Sequence, residues 1–226
     1  MAVDTRHFAD ELTALTQRLL VMGGLAEERV RAAMHALVDR DAARIAAVVS
    51  GDDPIDAMQI EIDARCFKLL ALHQPMAVDL RTIVAVVKIN TDLERVGDLA
   101  VNIAEAAERY IGHPPVKRLV DLPRMGAIAQ RMLRDSLDAF VSQDVDLARA
   151  VLAQDDELDA LERQMFRELL TYMMGDPRTI EPALDLVLVA RNLERVGDHA
   201  TNIAEDVIFI ASATDVRHHD AQPAKD

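Results

Sequence analysis

From Phe8 the apolar positions run Phe8, Leu12, Leu15, Leu19, Met22 and Ala26, in alternating steps of four and three residues. That rhythm places them on one side of a helix and predicts a long amphipathic helix reaching about Asp39. Gly23-Gly24 in its middle should cost ~1 kcal/mol each relative to alanine, so a kink or a close approach is expected there. A second helical stretch is predicted from about Asp41 to Leu72, with Ser50-Gly51 as a point of interruption and Gln74-Pro75 as its end. A third runs from about Val78 to Tyr110. Gly112, Pro114, Pro115 and Pro123 then cluster and read as a linker. After it the order repeats. One helix uses Met125, Ile128, Met132, Leu133, Leu137 and Phe140; the next runs from about Asp144 to Met174 and is closed by Gly175-Asp176-Pro177. The last runs from about Thr179 to Ala213, with Pro182 in its first turn, where a missing N–H does little harm. No segment reads convincingly as a strand. The expected fold is all-α: two tandem, pseudo-symmetric three-helix bundles with short antiparallel connections. The first is assigned to residues 1–115 and the second, with a short C-terminal tail, to 116–226.

Within this repeating order one block returns almost unchanged. Leu93 through Glu105 and Leu193 through Glu205 are identical at eleven of thirteen positions, differing only at Leu99/His199 and Val101/Thr201. At the same offset of 100, residues 71–92 match 171–192 only at Val87/Val187, and residues 106–110 match 206–210 nowhere. Two halves that have otherwise diverged have kept one set of side chains, Glu-x-x-x-Asp-x-x-x-Asn-x-x-Glu, in both.

On an ideal helix, with Glu94 at zero, Asp98 falls at about 40°, Asn102 at about 80° and Glu105 at about 20°. Leu93, Val96, Ala100 and Ile103 fall on the opposite side. The oxygen-bearing stripe therefore faces away from the bundle core, and Gly97 and Ala104 form a small-residue edge suited to a neighbouring helix. Glu194, Asp198, Asn202 and Glu205 give the same map. One helix earlier, Asp52/Asp56 and Asp155/Asp159 have i,i+4 spacing, with Asp63 and Glu162 extending the two faces. Antiparallel packing of the second and third helices of each half would bring these pairs together. Two like charges ~6 Å apart repel by ~3 kcal/mol at an effective dielectric near 20, and cations between them reverse that cost. Carboxylate and amide oxygens select hard or borderline cations: Fe, Mn, Mg, Ca and Zn.

An exposed Glu-x-x-x-Asp pair is ordinarily just a solvated face. Helix packing explains retained Gly97 and Ala104, but not retained acids and an amide on the outward side. The Asp52 pair is weaker, because Asp53-Pro54 is also a good helix start, which would leave Asp52 outside the helix. Arg95 and Arg195 read as outward counter-charges. His218-His219 reads as tail, and the methionines as core filler.

Composition narrows the class. Aromatics make up 3% of the chain and the formal net charge is −14. This argues against nucleic-acid binding, which needs Lys/Arg stripes, and suits cations or basic protein surfaces. Cys66 is the only cysteine, so one chain offers no thiolate metal site. No apolar run reaches the ~20 residues of a membrane span, so no direct membrane insertion is expected. A cytoplasmic location is the expectation.

Leu-Glu-Arg-Val-Gly-Asp twice, each time followed by Asn-Ile-Ala-Glu, resembles the PhoU family of bacterial phosphate-signalling regulators. Met22-Gly23-Gly24, Gln74-Pro75 before Asp79-Leu80-Arg81, Thr171-Tyr172-Met173-Met174 before Asp176, and Arg217-His218 agree with it. The resemblance implies two three-helix bundles carrying multinuclear metal clusters, iron in some members and other divalent ions elsewhere. Its ligand pairs would fall on Glu94/Asp98, Glu194/Asp198, Asp52/Asp56 and Asp155/Asp159. It also implies a non-enzymatic negative regulator of the phosphate-starvation regulon and of phosphate uptake, often a homodimer. Its implied partners are the ATPase subunit of the phosphate ABC transporter and a phosphate-sensing histidine kinase. Two other readings stand beside it: a carboxylate-metal enzyme on a helical bundle, and a metal-free helical docking protein. Against the enzyme, ferritin-like sites use Glu-x-x-His pairs pointing inward, and no His recurs in both blocks.

Overall fold

The computed structural model describes the backbone of residues 2–51 and 53–212, and the side chains of 7–51, 54–211. Seven α-helices account for nearly all of it: α1 (Ala2–Asp39), α2 (Ala42–Val49), α3 (Asp53–His73), α4 (Val78–Ile111), α5 (Asp121–Ser142), α6 (Val145–Gly175) and α7 (Ile180–Ser212). Helices α1 to α4 build one three-helix bundle, with α2 and α3 forming its broken middle member, and α5 to α7 build the other. No strand occurs among the described residues.

The two halves are closed by the same local devices. Arg40 and Gln143 both adopt left-handed backbone, with φ of 54° and 53°. Each is followed by an aspartate that caps the next helix: Asp41 accepts from the Ala43 and Arg44 amides, and Asp144 from those of Asp146 and Leu147, all at 3.0 Å. Such caps satisfy backbone donors that the first helical turn leaves open.

The halves differ where the sequence predicts an interruption. Helix α2 stops at Val49 and α3 begins at Asp53, whereas α6 runs unbroken. The first half has Gly51 and Pro54 where the second has Gln154 and Glu157. A proline in that position lacks the amide and crowds the carbonyl four residues before it, which ends a helix. Pro123 departs from the expected linker: it lies in the first turn of α5, where proline is tolerated. A 3-10 turn, Pro177–Thr179, leads into α7 and is capped by Asp176.

Helices α4 and α7 form the most extensive pairing in the molecule, and it joins one bundle to the other. Ala85, Ala100, Ala104, Ala106 and Ala107 on α4 and Ala183, Ala190, Ala200 and Ala204 on α7 are buried. Short side chains let the two axes approach closely. Lys88 bonds Asp206 at 2.8 Å and Arg109 bonds Asp185 at 2.8 Å. Partners climb one helix while descending the other, so the pair is antiparallel, and this register sets Gly97 level with Gly197. A second seam joins α1 to α5. A Cβ on Gly23 would collide with Leu137 Cδ1, and one on Gly126 would lie 3.1 Å from Met34 Cγ. These are the same contact made twice about the pseudo-twofold axis. The close approach expected at Gly23-Gly24 is therefore real at Gly23, while Gly24 has nothing within 4 Å. The buried side chains of both bundles form one continuous core. No helix among the described residues is long and apolar enough to cross a membrane.

Candidate metal centre

The repeated block sits mid-helix on α4 and on α7, with the predicted orientation. Leu93, Val96, Ala100 and Ile103, and equally Leu193, Val196, Ala200 and Ile203, are fully buried. Glu94, Asp98 and Glu194 are half-buried, and Asp198, Asn102, Asn202 and Glu105 are exposed. Glu205 is half-buried.

In the second bundle a missing side chain brings the acids together. A Cβ on Gly197 would lie 2.5 Å from Leu158 Cδ2 and 3.5 Å from Asp155 Oδ1. Only glycine lets the α7 backbone settle this closely on α6, and that contact sets Asp155 beside the Glu194–Asp198 turn. Because α6 is unbroken, Asp155 and Asp159 occupy successive turns of one face.

The electrostatics record the crowding. Burial, then the charges of Asp198, Asp159, Glu162 and Asp155, push the Glu194 carboxyl up from 4.5 to about 7. Burial, with Asp159, Asp198 and Asp156, raises Asp155 from 3.8 to about 6. Asp198 is also raised, chiefly by burial and then Asp159, and His199 and Arg195 partly offset this. Asp155 Oδ1 is buried and accepts no hydrogen bond, an arrangement that costs about 1–3 kcal/mol unless something fills it. Arg163 pairs with Asp159 at 3.0 Å. A set of carboxylate oxygens under mutual repulsion, one of them orphaned, fits a hard or borderline cation in its donor chemistry. In their present rotamers, no three His, Cys, Asp or Glu side chains among the described residues gather closely enough to hold one ion.

The first bundle is arranged differently. Arg95 bonds Asp98 at 3.2 Å and approaches Glu94 at 3.5 Å, as an outward counter-charge should. Asp63 accepts a 2.9 Å bond from Asn90, which also donates to the Gln59 carbonyl, so it ties α3 to α4. Asp56 is exposed on α3. Asp52 lies outside the described residues, as do His218 and His219. The Cys66 thiol is buried and, by burial and then the charge of Asp63, pushed up to about 12, so it stays protonated at neutral pH.

Asn202 is drawn elsewhere than toward α6. Its amide donates to Asp92 Oδ1 at 3.2 Å, and His199 Nδ1 meets the same oxygen at 2.8 Å. An i,i+4 stripe advances about 40° per step, so two steps beyond Glu194 it faces α4. Asp92 carries no sequence signal of its own, but His199 does. It replaces Leu99 at one of the two positions where the blocks differ, and its partner Asp92 has Asn192 as its counterpart.

Comparison with known proteins gives one family. The PhoU domain matches residues 19–107 and again residues 122–207. A phosphate-specific transport system accessory protein PhoU homolog from Caulobacter vibrioides is 47% identical over 205 residues, covering 90% of this chain and 89% of that protein. Its counterpart from Pseudomonas aeruginosa is 42% identical over 216 residues, covering 95% and 89%. The crystal structure of PhoU from Pseudomonas aeruginosa superposes with a TM-score of 0.88 at 41% identity, over 92% of this chain and all of that one. The phosphate transport system regulatory protein PhoU from Streptococcus pneumoniae gives 0.85 at 28% identity, over 92% and 99%.

Proposed function

The chain belongs to the PhoU family, and on that premise we propose that it is a negative regulator of phosphate uptake and of the phosphate-starvation regulon. In this reading it is a cytoplasmic, homodimeric adaptor. It links the ATPase subunit of the phosphate ABC transporter to a phosphate-sensing histidine kinase when phosphate is plentiful. The observation that supports this best is the doubling of the family domain, at residues 19–107 and 122–207, in a chain that matches most of the length of relatives named as phosphate-transport accessory proteins. No catalytic role is assigned to any residue.

Metal binding is the second part of the proposal. Asp155, Asp159, Glu194 and Asp198, with Glu162 beside them, would hold the cations in the second bundle. Glu94, Asp98, Asp52 and Asp56 would do so in the first. Bound cations would cancel the repulsion that raises Glu194 and Asp155, and would give the orphaned Asp155 oxygen a partner. Iron is the first candidate, with Zn, Mn, Mg and Ca as the others. Asn102, Glu105, Asn202 and Glu205 would sit at the margin of the clusters. A metal-free docking role is the competing reading, and the lack of a three-donor group among the described residues favours it.

Deletion in the native host tests the regulatory claim. Phosphate-starvation genes should be expressed in phosphate-rich medium, and the intact gene should restore repression. Unchanged phosphate uptake and gene expression would remove the assignment. Elemental analysis of protein purified without chelator or added metal separates the two readings: bound transition metal or calcium supports the metal, and a result near zero, with Glu94→Ala and Asp198→Ala proteins that repress normally, supports docking alone.

A further inference from the structure

The retained block keeps more than its acids. Arg95 and Asn102 on α4 recur as Arg195 and Asn202 on α7, and the carboxylate clusters use neither arginine. With Glu94 at zero, Arg95 falls at about 100° and Asn102 at about 80°, beside the residues that meet α7, Lys88 at about 120° and Asp92 at about 160°. Glu94 and Asp98 lie further round, toward α3. The same map holds on α7. Arg95, Asn102, Arg195 and Asn202 are all exposed, so two arginines and two amides line the outer lip of the α4–α7 seam.

The register of the seam sets them in one row. Lys88 meets Asp206, Asp92 meets Asn202 and Arg109 meets Asp185, so each step forward on α4 is a step back on α7. Along α4 the order is therefore Asn202 beside Asp92, then Arg95, then Arg195 beside Leu99, then Asn102. The arginines stand about 6 Å apart along the seam and about 8–10 Å across it, a span that two such long side chains can close on one small ligand. They flank the pseudo-twofold axis near Gly97 and Gly197.

A counter-charge role explains Arg95, which bonds Asp98 and approaches Glu94. It does not explain Arg195, kept at the same place. Beyond easing Asp198 through its charge, Arg195 forms no hydrogen bond or ion pair among the described residues, and Asn102 forms none either. In that bundle Arg163 pairs with Asp159 instead. A guanidinium is a fork of donors with no acceptor, and a carboxamide adds two more donors. Cations filling the clusters would take Glu94 and Asp98 from Arg95. Two uncompensated guanidinium groups would then stand side by side, which suits a doubly charged oxyanion.

We propose that Arg95 and Arg195, flanked by Asn102 and Asn202, bind one divalent oxyanion of the phosphate or sulfate type, and that cations in the adjacent clusters open this site by releasing Arg95. Its regulation rests on the metal reading, while its residues do not. Cation and oxyanion thereby strengthen each other's binding.

The test is isothermal titration of inorganic phosphate into the full chain, first in chelator, with circular dichroism confirming that each variant is folded. Asp98→Asn, which frees Arg95 without metal, should bind phosphate at least tenfold more tightly than the wild type. Arg195→Gln or Arg95→Gln in that background should abolish the gain. Arg149→Gln, at an exposed arginine of α6, should leave it within twofold, which sets aside a general charge effect. Sulfate should compete, and acetate at equal ionic strength should not. Protein carrying its own cations should also bind phosphate at least tenfold more tightly than in chelator, and Arg195→Gln should remove that gain with metal content unchanged. Equal binding by the wild type and Asp98→Asn in chelator would overturn the proposal. So would a gain that survives Arg195→Gln, which in the loaded protein would put the anion on the metal itself. A chain that holds no metal, yet gains phosphate binding through Asp98→Asn and loses it through Arg195→Gln, would end the cluster reading and leave the oxyanion site standing.

Discussion

Replacing Glu194 with glutamine removes one negative charge from a site where at least four others press on it, while keeping size and one acceptor oxygen. The carboxyl of Glu194 is raised from 4.5 to about 7, first by burial and then by Asp198 and the α6 acids. The folded protein therefore holds this proton more tightly than the unfolded chain does. Stability from this group is complete below about pH 4.5 and is lost as pH rises through about 7. The full shift corresponds to at most about 3 kcal/mol. Solvent screening of a site open on one side reduces that to about 1–2 kcal/mol. In a chain of this size each kcal/mol moves Tm by about 2–4 °C. Metal-free Glu194→Gln should thus melt about 2–8 °C above the wild type at pH 7.5 and within a degree of it at pH 4.5. Thermal unfolding in chelator across that pH range is the assay. A variant that melts at or below the wild type at pH 7.5 would show that the acids do not repel one another, and the reasoning behind the cation site would fall with it.

Other substitutions separate the packing claims. Gly24→Ala should stabilise by about 1 kcal/mol, since nothing lies within 4 Å, while Gly23→Ala should destabilise by about 1–2 kcal/mol against Leu137; denaturant titration of both variants checks the opposite signs. Gly197→Val should wedge α7 off α6 at Leu158, cost about 1–3 kcal/mol, and flatten the pH dependence that Glu194 and Asp155 impose. Arg109→Ala should cost about 2–4 kcal/mol, because Asp185 is 5% exposed and its other oxygen already lacks a partner. Asp185→Leu in the Arg109→Ala background should recover most of that loss in the same titration.

The helices and their faces were legible because each carries a buried stripe at 3.6-residue spacing, from Leu15–Leu19–Met22 in α1 to Leu193–Val196–Ala200 in α7. The break before α3 was readable from Gly51 and Pro54, which act locally. Pro123 was misplaced because proline suits both a linker and a first helical turn, and only the neighbouring packing decides between them. The outward acid stripe followed from helical geometry alone. The register across helices did not. Whether Asp155 meets Glu194 depends on Gly197 sinking onto Leu158, and a glycine in the sequence does not say which helix it admits. The fusion of the bundles through α4 and α7 was hidden for a similar reason. Lys88–Asp206 and Arg109–Asp185 link residues more than 70 positions apart, and neither pair is repeated by the internal symmetry. The Asp92–His199 contact was signalled only by the Leu99/His199 difference, one of two within the retained block.

Anomalous diffraction from crystals of the native protein, grown without chelator or added metal, bears most directly on why two helices keep the same acids. Scattering peaks should lie between Asp155, Asp159, Glu194 and Asp198, with an absorption edge that names the element. A map featureless at that position, from protein whose elemental analysis also shows no transition metal or calcium, would leave those carboxylates without cations and contradict the account.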